Sequence, residues 1–266
     1  MTFARESAGP AAPLGPAFLG RPGGHRLAYR RRAGSGPGLV WLGGFNSDMN
    51  GTKATALEGW AQEWGRACLR FDYFGHGASS GEFAAGTIGR WRDDALAVLD
   101  ELARGPQILV GSSLGGWIAL LAALARPERV AGLFLVAPAP DFTEDLIWET
   151  LSQSRREALL REGRIERPSQ YGEAPYPISR ELIEEGRRHL LLREPIAVRC
   201  PVEIVHGMAD PDVPWRRSLA LVERLAGAEV SATFLKAGDH RLSAPADLDR
   251  LKTALGGFLG RLGSAP

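Results

Sequence analysis

A chain of 266 residues is long enough for one large α/β domain with an insertion, and its composition, 44% hydrophobic and 24% charged, is ordinary for a soluble globular protein. The formal net charge of +1 excludes a global field that would recruit nucleic acid or an anionic membrane. Cys68 and Cys200 are too few for a disulfide framework, and no apolar run approaches the ~20 residues of a membrane span.

Residues 1–24 are rich in Pro, Gly and Ala and predict a loose tail without the apolar region of a secretory signal. His25–Arg32 predicts an edge strand. Leu39–Leu42 predicts a buried strand that stops at Gly43-Gly44-Phe45, where paired glycines let backbone approach a ligand. A polar loop then leads to a helix with Leu57, Trp60, Ala61 and Trp64 on one face. Ala67–Asp72 reads as the next strand, followed by the glycine-rich loop YFGHGASSGEFAAG. Thr87 predicts an N-cap, and Trp91, Ala95, Val98, Leu99 and Leu102 recur at helical spacing after it.

The stretch QILVGSSLGGWIALL, Gln107–Leu121, reads as a short buried strand, a tight glycine turn and an apolar helix. The turn fits G-x-S-x-G with Ser113 at its centre, in the strand–turn–helix context of a nucleophile elbow. Gly111 and Gly115 remove Cβ atoms that would collide at so sharp a turn, and Gly116 lets the helix pack closely. The Leu114 N–H then lies at a helix N-terminus, where it favours developing negative charge. Val130–Ala137 predicts another buried strand. The βαβαβαβ rhythm with near-continuous apolar strands predicts a mostly parallel central sheet with helices on both faces.

That rhythm breaks over residues 141–195. Helical patterns there (Leu146, Ile147, Leu151, then Leu182, Ile183, His189, Leu190) predict a helical cap inserted into a core formed by residues 25–140 and 196–266. The alternative is a long crossover. Val202–Val205 predicts a strand that ends in H-G-x-x-D-x-x-V-P, His206 to Pro214. A helix over Trp215–Leu225, a strand over Ala228–Leu235 and a closing helix over Leu248–Leu262 complete the pattern.

Ser113, Asp210 and His240 each follow a predicted strand, the end of an open parallel sheet where ligands bind. A serine hydroxyl attacks only with a base to take its proton. His240 is the candidate base, and Asp210 the candidate acid that orients its ring. Asp212 is a rival acid two residues on from Asp210, and Asp239, beside His240, is read as a turn residue. His76, His206, His189 and His25 are read as structural. Phe45 and Leu114 are the candidate oxyanion donors. Gly44, Leu146, Ile147 and Trp148 are candidate substrate contacts. No H-E-x-x-H or C-x-x-C occurs, so no metal site or cofactor is expected.

At these residues the chain resembles the α/β-hydrolases, and within them the mitochondrial palmitoyl-protein thioesterase and acyl-glucuronide esterase family. MNGTKA (Met49–Ala54), RFDYFGHGASSG (Arg70–Gly81), WRDDAL (Trp91–Leu96) and GPQILVGSSLGGW (Gly105–Trp117) carry that resemblance. So do ARPERV (Ala125–Val130), CPVEIVHGMADPDVPW (Cys200–Trp215) and GDHR (Gly238–Arg241). It spans Leu27 to Leu262 and is weakest in the insertion. The resemblance implies Ser113 as nucleophile, Asp210 as acid and His240 as base. It implies cofactor-free hydrolysis of a small-molecule ester or an acyl thioester, with an acylated protein among the substrates. A cytoplasmic location is expected, with the mitochondrial matrix as the alternative that the family implies, and monomer and homodimer both stay open.

Three readings compete. The first is a serine esterase or thioesterase working through an acyl-enzyme. The second is a C–C hydrolase, peptidase or cofactor-free peroxidase on the same triad. The third is a catalytically silent binding protein, which a chain holding all three triad residues argues against.

Overall fold

Strand β5, Gln107–Ser112, is buried along its whole length because both faces of the sheet are covered around it. Its neighbouring side chains part to opposite sides. Leu109 joins one apolar cluster, while Ile108 and Val110 join the other. The computed structural model describes residues 15–168 and 175–263.

Among the described residues, eight strands form the central sheet. In chain order they are β1 (Ala17–Gly20), β2 (Arg26–Arg32), β3 (Ser35–Leu42), β4 (Arg66–Phe71), β5, β6 (Val130–Val136), β9 (Val202–Gly207) and β10 (Val230–Leu235). Their spatial order is β1-β2-β4-β3-β5-β6-β9-β10. The first two pairings, β1 with β2 and β2 with β4, are antiparallel. All others are parallel.

Helices α1 (Thr52–Glu63) and α7 (Pro245–Gly263) cover one face through Leu57, Trp60, Leu251, Leu255 and Phe258. Helices α2 (Ile88–Glu101) and α3 (Leu114–Ala125) cover the other through Trp91, Val98, Trp117 and Ile118. Thr87 caps α2 as predicted, its hydroxyl accepting the Arg90 N–H. Helix α6 (Arg216–Arg224) adds Leu221 to the same cluster.

Residues 141–195 hold more than helices. A π-turn over Thr143–Ile147 runs into a 3₁₀ turn over Trp148–Thr150 and then into α4 (Gln153–Glu162). Strands β7 (Arg164–Arg167) and β8 (Tyr176–Ser179) pair antiparallel, and α5 (Arg180–Gly186) follows. Charged residues alternate through β7, so no apolar run announces it. The stretch Arg167–Pro177, rich in turn-forming residue types, lies in part outside the described residues. The two ends of the segment are tied to each other. Both Asp141 carboxylate oxygens accept backbone N–H groups, from Leu191 and Leu192, at 2.8 Å each.

Two expectations are corrected. Ala17–Gly20, placed in a loose tail, is the edge strand, so His25–Arg32 pairs on both sides. Trp64, placed on the buried stripe of α1, is 65% exposed and stacks on Trp60 at 5.7 Å. The helix has ended by then, and Gly65 at φ 62° carries the chain away from the core. Residues 1–14 of the predicted tail lie outside the described residues.

Candidate active site

Ser113 sits between β5 and α3 at φ 54° and ψ −116°, a backbone conformation costly for any residue but glycine. Its surroundings hold it there. The Ser113 N–H donates to Val136 O at 2.9 Å, and its carbonyl accepts from Ala139 N–H at 3.0 Å. The turn can be this tight because Gly115 has no side chain; a Cβ there would lie 2.0 Å from the Leu42 carbonyl oxygen. Since the obstacle is backbone of β3, it cannot step aside. Gly115→Ala is therefore expected to destabilise the fold by about 2 kcal/mol or more, read as a drop in Tm.

Asp210 and His240 reach Ser113 from the adjoining strands β9 and β10. His240 Nε2 lies 3.1 Å from Ser113 Oγ, and His240 Nδ1 lies 2.7 Å from Asp210 Oδ2. The two loops meet because Gly207 passes against Gly238, whose carbonyl oxygen would be 2.2 Å from a Cβ at 207. Asp210 Oδ1 accepts the N–H groups of Asp212 and Val213 at 2.8 Å each. Burial pushes the Asp210 carboxyl up. Hydrogen bonds from His206 and His240, the charge of His240 and the Val213 N–H outweigh it and hold the group well below the usual carboxylate range.

The loop after β3 faces the serine from the other side. A Cβ on Gly44 would lie 3.6 Å from Ser113 Cβ. The Phe45 ring is fixed edge-on by Phe83, Trp91, Phe142 and Tyr176, at centroid distances of 4.8 to 5.8 Å. Behind the loop, Asp72 accepts Met49 N–H at 2.6 Å and Ala78 N–H at 2.8 Å. Arg70 pairs with Glu58 at 2.6 Å and also donates to the Met49 carbonyl. Leu114, the first residue of α3, is fully buried beside the serine.

This arrangement invites comparison with known proteins. The family model described as serine aminopeptidase, S33, matches residues 39–170. The mitochondrial palmitoyl-protein thioesterase ABHD10 of Homo sapiens is 41% identical over 246 residues, which cover 92% of this chain and 80% of that protein. The chain belongs to this α/β-hydrolase family. It is accordingly a hydrolase. The solved structure of alpha/beta hydrolase domain-containing protein 10 from mouse superposes with a TM-score of 0.87 at 41% identity, covering 93% of this chain and 99% of that one. A putative hydrolase from Agrobacterium vitis S4 gives a TM-score of 0.86 at 43% identity, covering 91% and 97%.

As in an α/β-hydrolase, the site opens at the carboxyl ends of the strands, into a cavity of about 420 Å³. Ser113, His240, Gly44, Phe45, Leu146 and Ile147 line it. Trp148 does not; its ring lies between Arg156 and Arg187, whose guanidinium carbons are 5.2 and 4.8 Å from its centroid. The expected contact at Trp148 is therefore withdrawn. Trp148 opens the 3₁₀ turn after the π-turn, where it is half-buried against the apolar cluster and the two arginines.

Tyr176, Arg167, Arg241 and Lys53, which no sequence pattern marks, also line the cavity. They come from β8, β7, the loop after β10 and the start of α1, and no spacing in the chain links them. Lys53 Nζ donates to the Arg241 carbonyl, tying α1 to the loop that carries His240. Burial, aided by the Arg241 charge, lowers the Lys53 ammonium to about 8.

The rival residues have other work. Asp239 Oδ1 accepts Leu242 N–H at 2.8 Å and closes a turn. His76 is buried; Nδ1 lies 3.1 Å from the Phe74 carbonyl and Nε2 accepts Asn46 N–H at 3.3 Å. Burial, opposed by the Phe74 contact, lowers its imidazole to about 4, which leaves Nε2 free to accept. His76 thus supports the loop that carries Phe45. His189 pairs with Glu185 at 2.5 Å, and Glu185 accepts Gly89 N–H at 3.0 Å, joining the 141–195 segment to α2.

Proposed function

We propose that the protein hydrolyses carboxylic esters or thioesters of acyl chains through an acyl-enzyme on Ser113, with His240 as base and Asp210 as the acid that orients it. The observation that carries this reading is the unbroken hydrogen-bond chain Asp210–His240–Ser113 at the floor of the cavity. Asp210 accepts from His240 Nδ1, which leaves the Nε2 lone pair facing Ser113 Oγ. His240 takes the hydroxyl proton as the oxygen attacks the acyl carbonyl, then returns it to the leaving alcohol or thiol. The Phe45 and Leu114 N–H groups are the proposed donors to the tetrahedral oxyanion. Water, activated by the same His240, releases the acid.

The cavity lining mixes apolar side chains with charged ones of both signs, Asp48 and Asp212 among them. Phe45, Phe142, Leu146, Ile147 and Val213 belong to the apolar cluster on the α3 face, and they suit an acyl chain. Residues 141–195 supply Phe142, Leu146 and Ile147, which supports reading them as a cap over the site. Lys53, Arg167 and Arg241 are cationic and suit a leaving group that bears a carboxylate, so an acyl glucuronide is the second substrate reading. The human relative's name adds acylated protein. Of the two locations the sequence leaves open, the relatives' names favour the mitochondrion. Among the described residues, no helix is long and apolar enough to cross a membrane.

A series of acyl thioesters from acetyl to palmitoyl tests the apolar part of that lining. Rising kcat/KM with chain length supports the thioesterase reading; a preference for acetyl oxygen esters removes it. Ile147→Trp is expected to lower kcat/KM for the longest chains about tenfold while sparing acetyl substrates. An equal loss across the series would place the chain elsewhere.

A further inference from the structure

His206 lies at the end of β9, fully buried, four residues before Asp210. Its Nε2 is 3.1 Å from Asp210 Oδ2 and 3.0 Å from the Val213 carbonyl oxygen. Both neighbours only accept, so Nε2 carries a proton. Its Nδ1 is 2.7 Å from Ser218 Oγ, a fully buried hydroxyl on α6 that can donate to it. The partners therefore fix the tautomer as well as the ring plane.

We infer that His206 is a positioning residue of the catalytic site, sharing with His240 a single oxygen of Asp210 and thereby setting how strongly that carboxylate holds the His240 ring. The inference rests on the triad reading above. Asp210 Oδ2 receives two imidazole N–H groups, at 2.7 Å from His240 and 3.1 Å from His206, while Oδ1 receives two backbone N–H groups. Four donors surround one carboxylate. Each donor draws negative charge toward itself. Without His206, more of that charge faces His240 and stabilises its imidazolium. The carboxylate also loses one of the anchors that fix its plane.

The other charged groups around the pair stay constant in this test. A carboxylate oxygen of Asp212 lies within 4.8 Å of Asp210 and His240 side-chain atoms. Lys53 lies where it feels the charges of Asp210, Asp239 and Arg241. On β10 the residue paired with His206 is Phe234, which is uncharged, and α6 contributes the Ser218 hydroxyl.

The test is the pH profile of kcat/KM on an acyl thioester for wild type, His206→Phe, His206→Gln and Ser218→Ala. In His206→Phe the acid limb is expected to move to higher pH by roughly one unit, with plateau kcat lower by about tenfold. His206→Gln, whose amide N–H reaches toward the Nε2 position, is expected to restore the limb toward wild type. Ser218→Ala keeps the ring and its Nε2–H but removes the hydroxyl that holds Nδ1 and the ring plane, and a smaller shift in the same direction is expected. It decides the matter if His206→Phe does not fold. A limb that stays at the wild-type position in the folded variants, with only kcat or protein yield reduced, makes His206 a packing residue and overturns the inference. Failure of the triad reading registers separately, as wild-type enzyme that does not label on Ser113.

Discussion

Ser113→Ala is expected to lower turnover of activated esters and acyl thioesters by roughly 10⁴- to 10⁶-fold, with the protein still folded. The fold survives because the elbow is held by backbone: the Ser113 N–H and carbonyl bond to Val136 and Ala139, and alanine keeps both. What is lost is the hydroxyl oxygen that His240 Nε2 faces at 3.1 Å. Residual activity measures what the oxyanion donors and the pocket supply without a nucleophile. A variant that retains full kcat with unchanged circular dichroism would move the chemistry away from the elbow.

Asp210→Asn carries the second large effect, about 10⁴-fold in kcat. An amide cannot satisfy this position in either orientation. With its NH₂ toward the imidazoles, it donates where His240 Nδ1 must donate. The ring then takes the opposite tautomer and turns an N–H toward Ser113. With its NH₂ toward the turn, it faces the Asp212 and Val213 N–H groups, which lie 2.8 Å from Oδ1. Either way two donors collide or the base is lost. Asp212→Asn and Asp239→Asn are the controls. Asp239 serves a local turn, so its amide variant is expected to stay within about tenfold of wild type, as is Asp212→Asn. Steady-state kinetics on the three variants separates the acids; a larger loss at Asp212 or Asp239 than at Asp210 would reassign the role.

The parts of the site that the sequence discloses are those whose signal is local. Ser113 stands in a five-residue motif between a strand and a helix. Asp210 and His240 each follow a buried apolar strand, and Gly43-Gly44 ends another. The unread parts depend on how the chain folds back. His206 and Asp210 would be ~13 Å apart in an extended strand, at about 3.3 Å per residue. The turn at Met208–Asp210 brings them to 3.1 Å, and only that turn turns a strand-end histidine into a partner of the acid. Lys53 and Arg241 lie far apart in sequence and meet through one hydrogen bond to backbone. Apolar neighbours make Trp148 look like a pocket contact, yet it opens a 3₁₀ turn that sets its ring against two arginines. β1 lies in a Pro- and Gly-rich segment and is held by its pairing with β2, a long-range effect that composition does not carry.

The central claim is that Ser113 is an activated nucleophile. Incubation of the wild-type protein with a fluorophosphonate probe, followed by mass mapping of the labelled peptide, tests it directly. The account predicts a single adduct on Ser113, within the peptide that spans the end of β5 and the start of α3, and its loss in His240→Ala. An adduct on another residue, or none on folded protein with an open pocket, would contradict it.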